Sequence, residues 1–189
     1  MLADRNLRDE LNKFAKYVIS QSRSNLTRGG KKLSSKLYNS LGFDISSRGT
    51  SMSLTFKMDS YGKFQDKGVK GKDPSRVSPN AKIRGQQAPN SPYKFGTGST
   101  KGWGKFVKRM SQFAKLKGIR FRNKKGEFAK GGFDSVGYVI ASNIYNRGIR
   151  PSMFFTKPFE NAFRRLPQEL IDAYSVGIEK QLNVTIKEK

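Results

Sequence analysis

The distribution of positive charge constrains this chain more than any other feature of its sequence. Residues 62–132 contain 19 of the 38 Lys and Arg residues but only 3 of the 14 Asp and Glu residues. The same segment holds 12 of the 19 Gly and 4 of the 7 Pro residues. Like charges at this density repel one another and oppose compaction. We therefore expect a largely extended, loop-like segment with a polyanion or an acidic protein surface nearby.

The sequence on either side of this segment has the periodicities of ordinary secondary structure. Apolar residues recur at helical spacing from Leu7 to Val18, where Asp4 is the predicted cap, and from Leu33 to Leu41, with Gly42 as the predicted helix end. Residues 43–58 alternate between apolar and polar, which predicts a β-hairpin. Helical spacing returns in residues 136–145, and again after Pro158 as far as Leu182.

These patterns predict an α+β fold, with N-terminal helices and a small antiparallel β-sheet packed by C-terminal helices. The core is assigned to residues 1–68 and 133–189, and the basic Gly/Pro-rich insert to residues 69–132. Residues 69–102 are too polar to bury a core of their own, so we expect them to be ordered only by partners. Further along the insert we predict an amphipathic helix that begins near Trp103 and a small hairpin with a basic tip at residues 119–128.

The aromatic residues of the insert have two interpretations. Tyr93, Phe95, Trp103, Phe106, Phe121 and Phe128 are interleaved with Lys and Arg, which is typical of a surface that stacks on bases and follows a phosphate backbone. The helical spacing of Trp103, Phe106, Val107 and Met110 favours instead the inner face of a helix. The Lys and Arg residues are exposed under either interpretation.

Twelve basic residues are therefore candidates for contact with DNA or with an acidic partner. They are Lys67, Lys70, Lys72, Arg76, Lys82, Arg84, Lys94, Lys101, Arg120, Arg122, Lys124 and Lys125.

The composition excludes several kinds of catalytic site. Cys and His are both absent, which rules out thiolate zinc sites, Ser-His-Asp triads and Cys-His dyads. Asp59 and Asp66 flank an aromatic turn, and a two-carboxylate metal site there is the less favoured interpretation. The glycine pairs lack the spacing of a phosphate-binding loop. We predict a protein without catalytic residues, bound metal or cofactor, and a metal-dependent nuclease is a distant alternative.

The chain has no signal-peptide pattern at its N-terminus and no apolar run of membrane-spanning length. We therefore expect a soluble protein made in the cytoplasm, with no membrane partner.

Three strings together resemble a known family. They are GKKLSSKLYNSL at residues 30–41, YGKFQDKG at 61–68 and GIRPSMFFTKPFENAF at 148–163. Their order and spacing are similar to those of the neck and tail-completion proteins of tailed double-stranded-DNA bacteriophages. The last string, together with FRNKKGEF at residues 121–128, most resembles virion proteins of gut Bacteroidetes phages, including crAss-like phages. The insert is a departure, because the family usually has a short loop there.

This resemblance implies a structural virion protein made in the host bacterial cytoplasm. Its copies would form a homo-oligomeric ring in the neck or upper tail, in contact with portal, adaptor or tail proteins, with double-stranded DNA passing through the ring. The alternative is a nonspecific nucleic-acid-binding protein that is packaged with phage DNA or acts on it. The two differ in whether the protein oligomerises or docks without DNA.

A ring requires an interface between subunits, and five residues near the last string are candidates for it: Arg147, Arg150, Phe154, Phe155 and Phe159. The two arginines could pair with carboxylates of a neighbouring copy. Phe154 and Phe155 could pack either on a neighbour or in the protomer's own core, and the sequence leaves both interpretations open.

Overall fold

The computed structural model of the chain describes residues 2–29, 35–48, 51–96, 102–123, 125–128 and 131–166. It consists of helices and two small antiparallel sheets, which confirms the predicted α+β class. The chain divides into two compact units. We name residues 1–66 and 152–189 the hairpin–helix unit, and residues 67–151 the basic unit. None of the helices in the described part of the chain is long and apolar enough to cross a membrane.

The hairpin–helix unit contains the predicted hairpin. Strands β1 (Gly42–Arg48) and β2 (Ser51–Lys57) pair antiparallel, with Phe43 opposite Phe56 and Ile45 opposite Leu54. Gly42 therefore opens a strand, whereas the sequence predicted that it would end a helix.

The helices of this unit differ from the predicted ones mainly at their ends. Helix α1 (Leu2–Arg28) begins two residues before the predicted cap, Asp4. Helix α2 (Lys36–Ser40) is shorter than the predicted stretch: Ser35 before it is left-handed, Leu41 after it is extended, and Leu33 lies outside the described residues. Helix α3 (Gly62–Lys67) follows the hairpin.

Helix α6 (Thr156–Phe163) begins two residues before the predicted start at Pro158. Proline is tolerated there, because the first turn of a helix needs no donor from its backbone nitrogen. The predicted apolar stripe from Leu170 to Leu182 lies outside the described residues.

Aromatic rings fill the centre of the hairpin–helix unit. Phe14 of α1 lies 6.3 Å from Phe56 of β2 and 5.6 Å from Phe159 of α6, between ring centroids. Phe155 lies 5.2 Å from Phe56. All three pairs meet edge to face, a geometry that adds to the free energy gained by burial. This core therefore joins α1, the hairpin and α6.

The basic unit is built on two helices, α4 (Trp103–Leu116) and α5 (Phe133–Arg147). The helices approach closely: a Cβ on Gly137 would lie 2.2 Å from Ser111 Oγ and 2.5 Å from the Ser111 backbone nitrogen. Ala114 is fully buried, and the half-buried Trp103 ring lies 5.4 Å from that of Tyr145. The four residues assigned to the inner face of this helix, Trp103, Phe106, Val107 and Met110, are all half-buried, whereas Lys105, Lys108 and Arg109 are exposed.

The polar segment before α4 is fixed to α5 by backbone contacts. The Lys72 nitrogen donates to the Tyr145 carbonyl, and the Gln87 nitrogen to the Arg147 carbonyl, both at 2.9 Å. A Cβ on Gly71 would lie 2.0 Å from the Asn146 carbonyl oxygen, so only glycine fits at this contact.

The same segment also bonds to itself. The Lys70 nitrogen donates to the Tyr93 carbonyl and the Phe95 nitrogen to the Lys70 carbonyl, at 2.7 and 2.9 Å. The buried Ser91 hydroxyl donates to the Gly68 carbonyl at 2.8 Å. The expectation that these residues need a partner to become ordered is wrong for 69–96. Backbone hydrogen bonds, rather than large buried apolar side chains, hold this segment in place.

The division into units differs from the one predicted, which returned to the core at residue 133. The basic unit instead runs to Pro151 and takes in α5 together with strand β4 (Gly148–Ile149). Strand β4 pairs antiparallel with β3 (Val69–Lys70), with Ile149 opposite Val69 and Gly148 opposite Lys70. Helix α5 belongs to this unit because it carries both α4 and the segment 69–96.

Candidate functional site

The basic unit carries the strongest charge excess of the molecule. Its sequence has 20 Lys and Arg residues against 3 Asp and Glu residues, whereas the hairpin–helix unit has 18 against 11. The carboxylates within the unit are therefore far fewer than its cations. Such a surface attracts polyanions over a range set by the salt concentration.

The structure places all the described candidate contact residues in the basic unit. Lys67, Lys72, Arg76, Lys82, Arg84, Lys94, Arg120, Arg122 and Lys125 are exposed, and Lys70 is half-buried. Lys101 and Lys124 lie outside the described residues.

Some of these cations are engaged within the protein. The Arg76 Nε atom lies 3.1 Å from Asp73 Oδ2. The Arg84 Nε atom donates to the Ala81 carbonyl at 3.2 Å, and its guanidinium also contacts the Pro79 carbonyl. These two arginines hold local turns, which leaves fewer of their donors for a ligand.

The predicted hairpin with a basic tip is present. Arg122 and Phe128 form an antiparallel bridge. Asn123 closes the turn, because its backbone nitrogen donates to the Glu127 carbonyl at 2.9 Å and its side-chain oxygen accepts from the nitrogens of Lys125 and Glu127. Asparagine is favoured in turns for this ability to bond to the following backbone.

Two arginines stack on one exposed ring of this hairpin. The Arg122 guanidinium carbon lies 4.5 Å from the Phe128 ring centroid, and that of Arg120 lies 5.3 Å from it. Arg120 is also 5.3 Å from the Phe133 ring. Phe128 is 55% exposed, so the stack is at the surface. We name Arg120, Arg122 and Phe128 the Arg–Phe tip.

A second basic surface was not among the predicted contacts. Lys105, Lys108, Arg109 and Lys115 of α4 are all exposed. Their spacing of three, four and seven residues places them on one side of a helix. The same period that identified the inner face of α4 could have identified this surface.

The two candidate interface arginines have different environments. Arg150 is exposed. Arg147 is half-buried. Among the described residues its Nε atom has no hydrogen-bond partner, and its Nη1 atom reaches only the Ile83 carbonyl, at 3.4 Å. Burial lowers the pKa of the Arg147 guanidinium below its ordinary value. Arg147 is therefore a cation with an unused donor.

Of the two interpretations left open for Phe154 and Phe155, the structure supports packing in the protomer's own core. Phe154 is 1% exposed and Phe155 is 6% exposed, both within the core of the hairpin–helix unit. Phe159 is half-buried and packs on the same core through its ring contacts with Phe14 and Phe155. The protomer itself covers these rings, because α6 lies directly against α1.

A buried carboxylate joins two of the strings that carry the family resemblance. Asp66 is 5% exposed, and its Oδ1 atom accepts from the backbone nitrogens of Phe155, at 2.9 Å, and Thr156, at 3.2 Å. Its Oδ2 atom accepts from the Thr156 hydroxyl. Asp66 therefore accepts hydrogen bonds from free backbone donors at the start of α6. The N-terminus of a helix also favours a nearby negative charge, because of the helix dipole.

The neighbouring backbone strengthens this junction. The Ser152 nitrogen and hydroxyl both donate to the Gln65 carbonyl, at 3.1 and 2.7 Å, and the Met153 nitrogen donates to the Asp66 carbonyl at 3.0 Å. We name residues 65–66 with residues 152–156 the Asp66 junction.

The carboxylates that could have formed a metal site do not converge. The Asp66 oxygens are occupied by the start of α6, and Asp59 has Lys36 3.8 Å away. Within the described residues there is no group of three or more side chains of metal-ligand type. The geometry gives Asp66 a structural role.

Comparisons with known proteins give no relative: no family model, no curated protein and no solved structure matches this chain.

Proposed function

We propose that this protein is a non-enzymatic structural component of a tailed-phage virion. Its copies form a ring in the neck or upper tail that joins or completes the head–tail connection around the DNA channel. Portal, adaptor or tail proteins are its neighbours in this proposal. The virion is its site of action.

The Asp66 junction is the observation that supports this proposal most. The strings at 61–68 and 148–163 are far apart in sequence, yet Asp66 of the first caps the helix that the second begins. The residues behind the resemblance thus perform one structural task together. Coincidental similarity in two separate strings would not require them to meet in space.

Arg147 and Arg150 supply the contact between copies. With Phe154 and Phe155 inside the protomer, the charged candidates remain for the interface. The buried Nε atom of Arg147 has no partner in the described part of the chain, and a carboxylate from a neighbouring copy would satisfy it. Head-to-tail contacts of this kind close into a ring when the rotation between copies permits it.

Sedimentation in buffer without nucleic acid tests the ring. We expect the wild-type protein to form a discrete oligomer, and Arg150→Glu to shift it toward the monomer while circular dichroism remains unchanged. Arg109→Glu is the matched control, since it makes the same charge change at an exposed position on α4. A wild-type protein that stays monomeric on its own and with its virion neighbours would contradict the proposal.

Nonspecific nucleic-acid binding is a second candidate function, favoured by the charge excess of the basic unit. Such a protein should bind DNA duplexes of any sequence at low salt, and its affinity should fall steeply as the salt concentration rises. It should remain monomeric without DNA. Sedimentation and a salt titration therefore distinguish the two candidates.

A further inference from the structure

The Arg–Phe tip differs from the other cations of the basic unit in how its charges are held. An exposed lysine or arginine ordinarily samples many rotamers, and ordering it on binding costs free energy. Arg120 and Arg122 are instead stacked on a common ring, with Arg120 also near Phe133. Both guanidinium groups are thus held beside the Phe128 ring before any ligand binds.

Within the part of the chain that the structure describes, the hydrogen-bond donors of these guanidiniums are largely unused. Arg122 donates from Nη1 to the Gly126 carbonyl at 2.6 Å, which fixes the group further and leaves its other donors. Among the described residues, no carboxylate forms an ion pair with Arg120 or Arg122. Glu127, the nearest acid in sequence, accepts from the Asn123 amide at 2.8 Å.

The arrangement indicates the mode of binding. A guanidinium presents a planar set of donors that matches a phosphate, often through two hydrogen bonds at once. Both arginines already lie near the Phe128 ring, so this ring is poorly placed to stack on a base. Contact with a phosphate backbone fits the geometry better than base stacking does.

We propose that Arg120 and Arg122, oriented by Phe128, form a two-arginine fork that binds the phosphodiester backbone of duplex DNA. The closely spaced phosphates of a duplex match two neighbouring guanidiniums better than an isolated carboxylate does. The inference rests on the proposed function for the presence of DNA in the channel. The fork itself is argued from the geometry of the tip.

Charge-conserving substitutions separate the fork from bulk charge. Arg120→Lys/Arg122→Lys keeps both charges and removes the planar donors, whereas Phe128→Leu keeps both arginines and removes the ring. We expect each to weaken binding of a short fluorescein-labelled duplex about fivefold to tenfold in fluorescence anisotropy. Arg120→Gln/Arg122→Gln should lower the slope of log affinity against log salt by about 2.

Lys105→Gln/Lys108→Gln is the control of equal charge change, because both lysines are exposed on α4. We expect it to weaken binding less than the double Gln variant of the tip. Circular dichroism and hydrogen exchange of α4 and α5 establish that each variant is folded. Wild-type affinity in both charge-conserving variants, or an equal loss in the lysine control, would overturn the fork.

Competition identifies the anion. Unlabelled duplex should displace the probe at far lower charge concentration than polyglutamate. Equal displacement by polyglutamate would point to an acidic protein and overturn the assignment to DNA. Sedimentation without DNA is independent of these measurements. If the wild-type protein forms no ring, the proposed function is contradicted and the fork is not. If the tip variants bind DNA normally, the fork is contradicted and the proposed function is not.

Discussion

The two units of this protein reach compactness by different means. The hairpin–helix unit buries large side chains, among them Phe14, Phe56, Phe154 and Phe155. The buried apolar residues described in the basic unit are all small, namely Val69, Ala88, Ala114, Val136 and Ala141. Its larger aromatics, such as Trp103 and Tyr145, are only half-buried.

This difference shows how a segment dominated by like charges can still fold. Close backbone approach at Gly71 and Gly137, together with hydrogen bonds from residues 69–96 to α5, requires few large apolar side chains. The surface is thus free to carry cations. A core of large rings would instead need apolar positions that this sequence has given to Lys, Arg and Gly.

The largest expected effect comes from opening the aromatic core. Phe155→Ala should reduce the free energy of unfolding of the hairpin–helix unit by about 3–5 kcal/mol, because it leaves a cavity beside Phe56. Chemical denaturation followed by circular dichroism measures it. Phe121→Ala, at a residue 37% exposed in the basic unit, is the control and should cost far less. An equal loss in the free energy of unfolding for the two variants would mean that the two units do not differ as described.

Removing the carboxylate of the Asp66 junction ranks next. Asp66→Ala should destabilise the hairpin–helix unit by about 2–4 kcal/mol, since the Phe155 and Thr156 nitrogens lose their acceptor. Asp66→Asn keeps one oxygen and should lie between wild type and Asp66→Ala. Hydrogen exchange at the start of α6 reports the change. Asp44→Asn, at an exposed pair with Lys57, should have little effect.

Filling the close contact between α4 and α5 tests the basic unit. Gly137→Ala should destabilise it by about 1–3 kcal/mol, because the added carbon collides with Ser111 backbone. Gly104→Ala is the matched control: Gly104 also lies in a helix, but nothing is within 4 Å of an added Cβ. That variant should be stabilised by about 0.5–1 kcal/mol. Exchange rates in α4 and α5 of the two variants should move in opposite directions.

The smallest effect is a dependence on pH at Asp73. Hydrogen bonds from Ser75 lower the pKa of Asp73, and the charge of Arg76 lowers it further. The stabilisation is thus fully present above the ordinary Asp pKa of about 3.9 and is lost as pH falls through the lower folded-state value. Wild type and Asp73→Asn should differ in hydrogen exchange near residues 74–76 at neutral pH and converge in acid. A difference that persists in acid would contradict this cause.

Sequence periodicity predicted the hairpin, α4 and α5, because each buries one side at a regular spacing. It could not place residues 69–96, since their order comes from backbone hydrogen bonds and from Gly71, which leave no periodic pattern in the side chains. Phe154 and Phe155 could not be assigned from sequence either. Whether a ring is covered by α1 or by a neighbouring copy depends on tertiary packing alone.

The basic part of the candidate site was predictable as a composition but not as a geometry. Arg120 and Arg122 were two among twelve candidate cations. Their stacking on Phe128 depends on the turn that Asn123 closes, which brings residues of opposite strands together. The exposed cations of α4 were not among these twelve, although the helical spacing that predicted its inner face places them away from that face.

The Asp66 junction also bears on how such a protein can change over generations. The chain leaves the hairpin–helix unit after Asp66 and re-enters it at Ser152, whose nitrogen lies 3.1 Å from the Gln65 carbonyl oxygen. The points where the chain leaves and re-enters the hairpin–helix unit are thus adjacent, as they are when one domain is inserted into another. Genetic exchange could replace the 85 residues between them in one event without rerouting the rest of the chain. Proteins that share this arrangement could therefore exchange the basic unit while keeping the hairpin–helix unit unchanged.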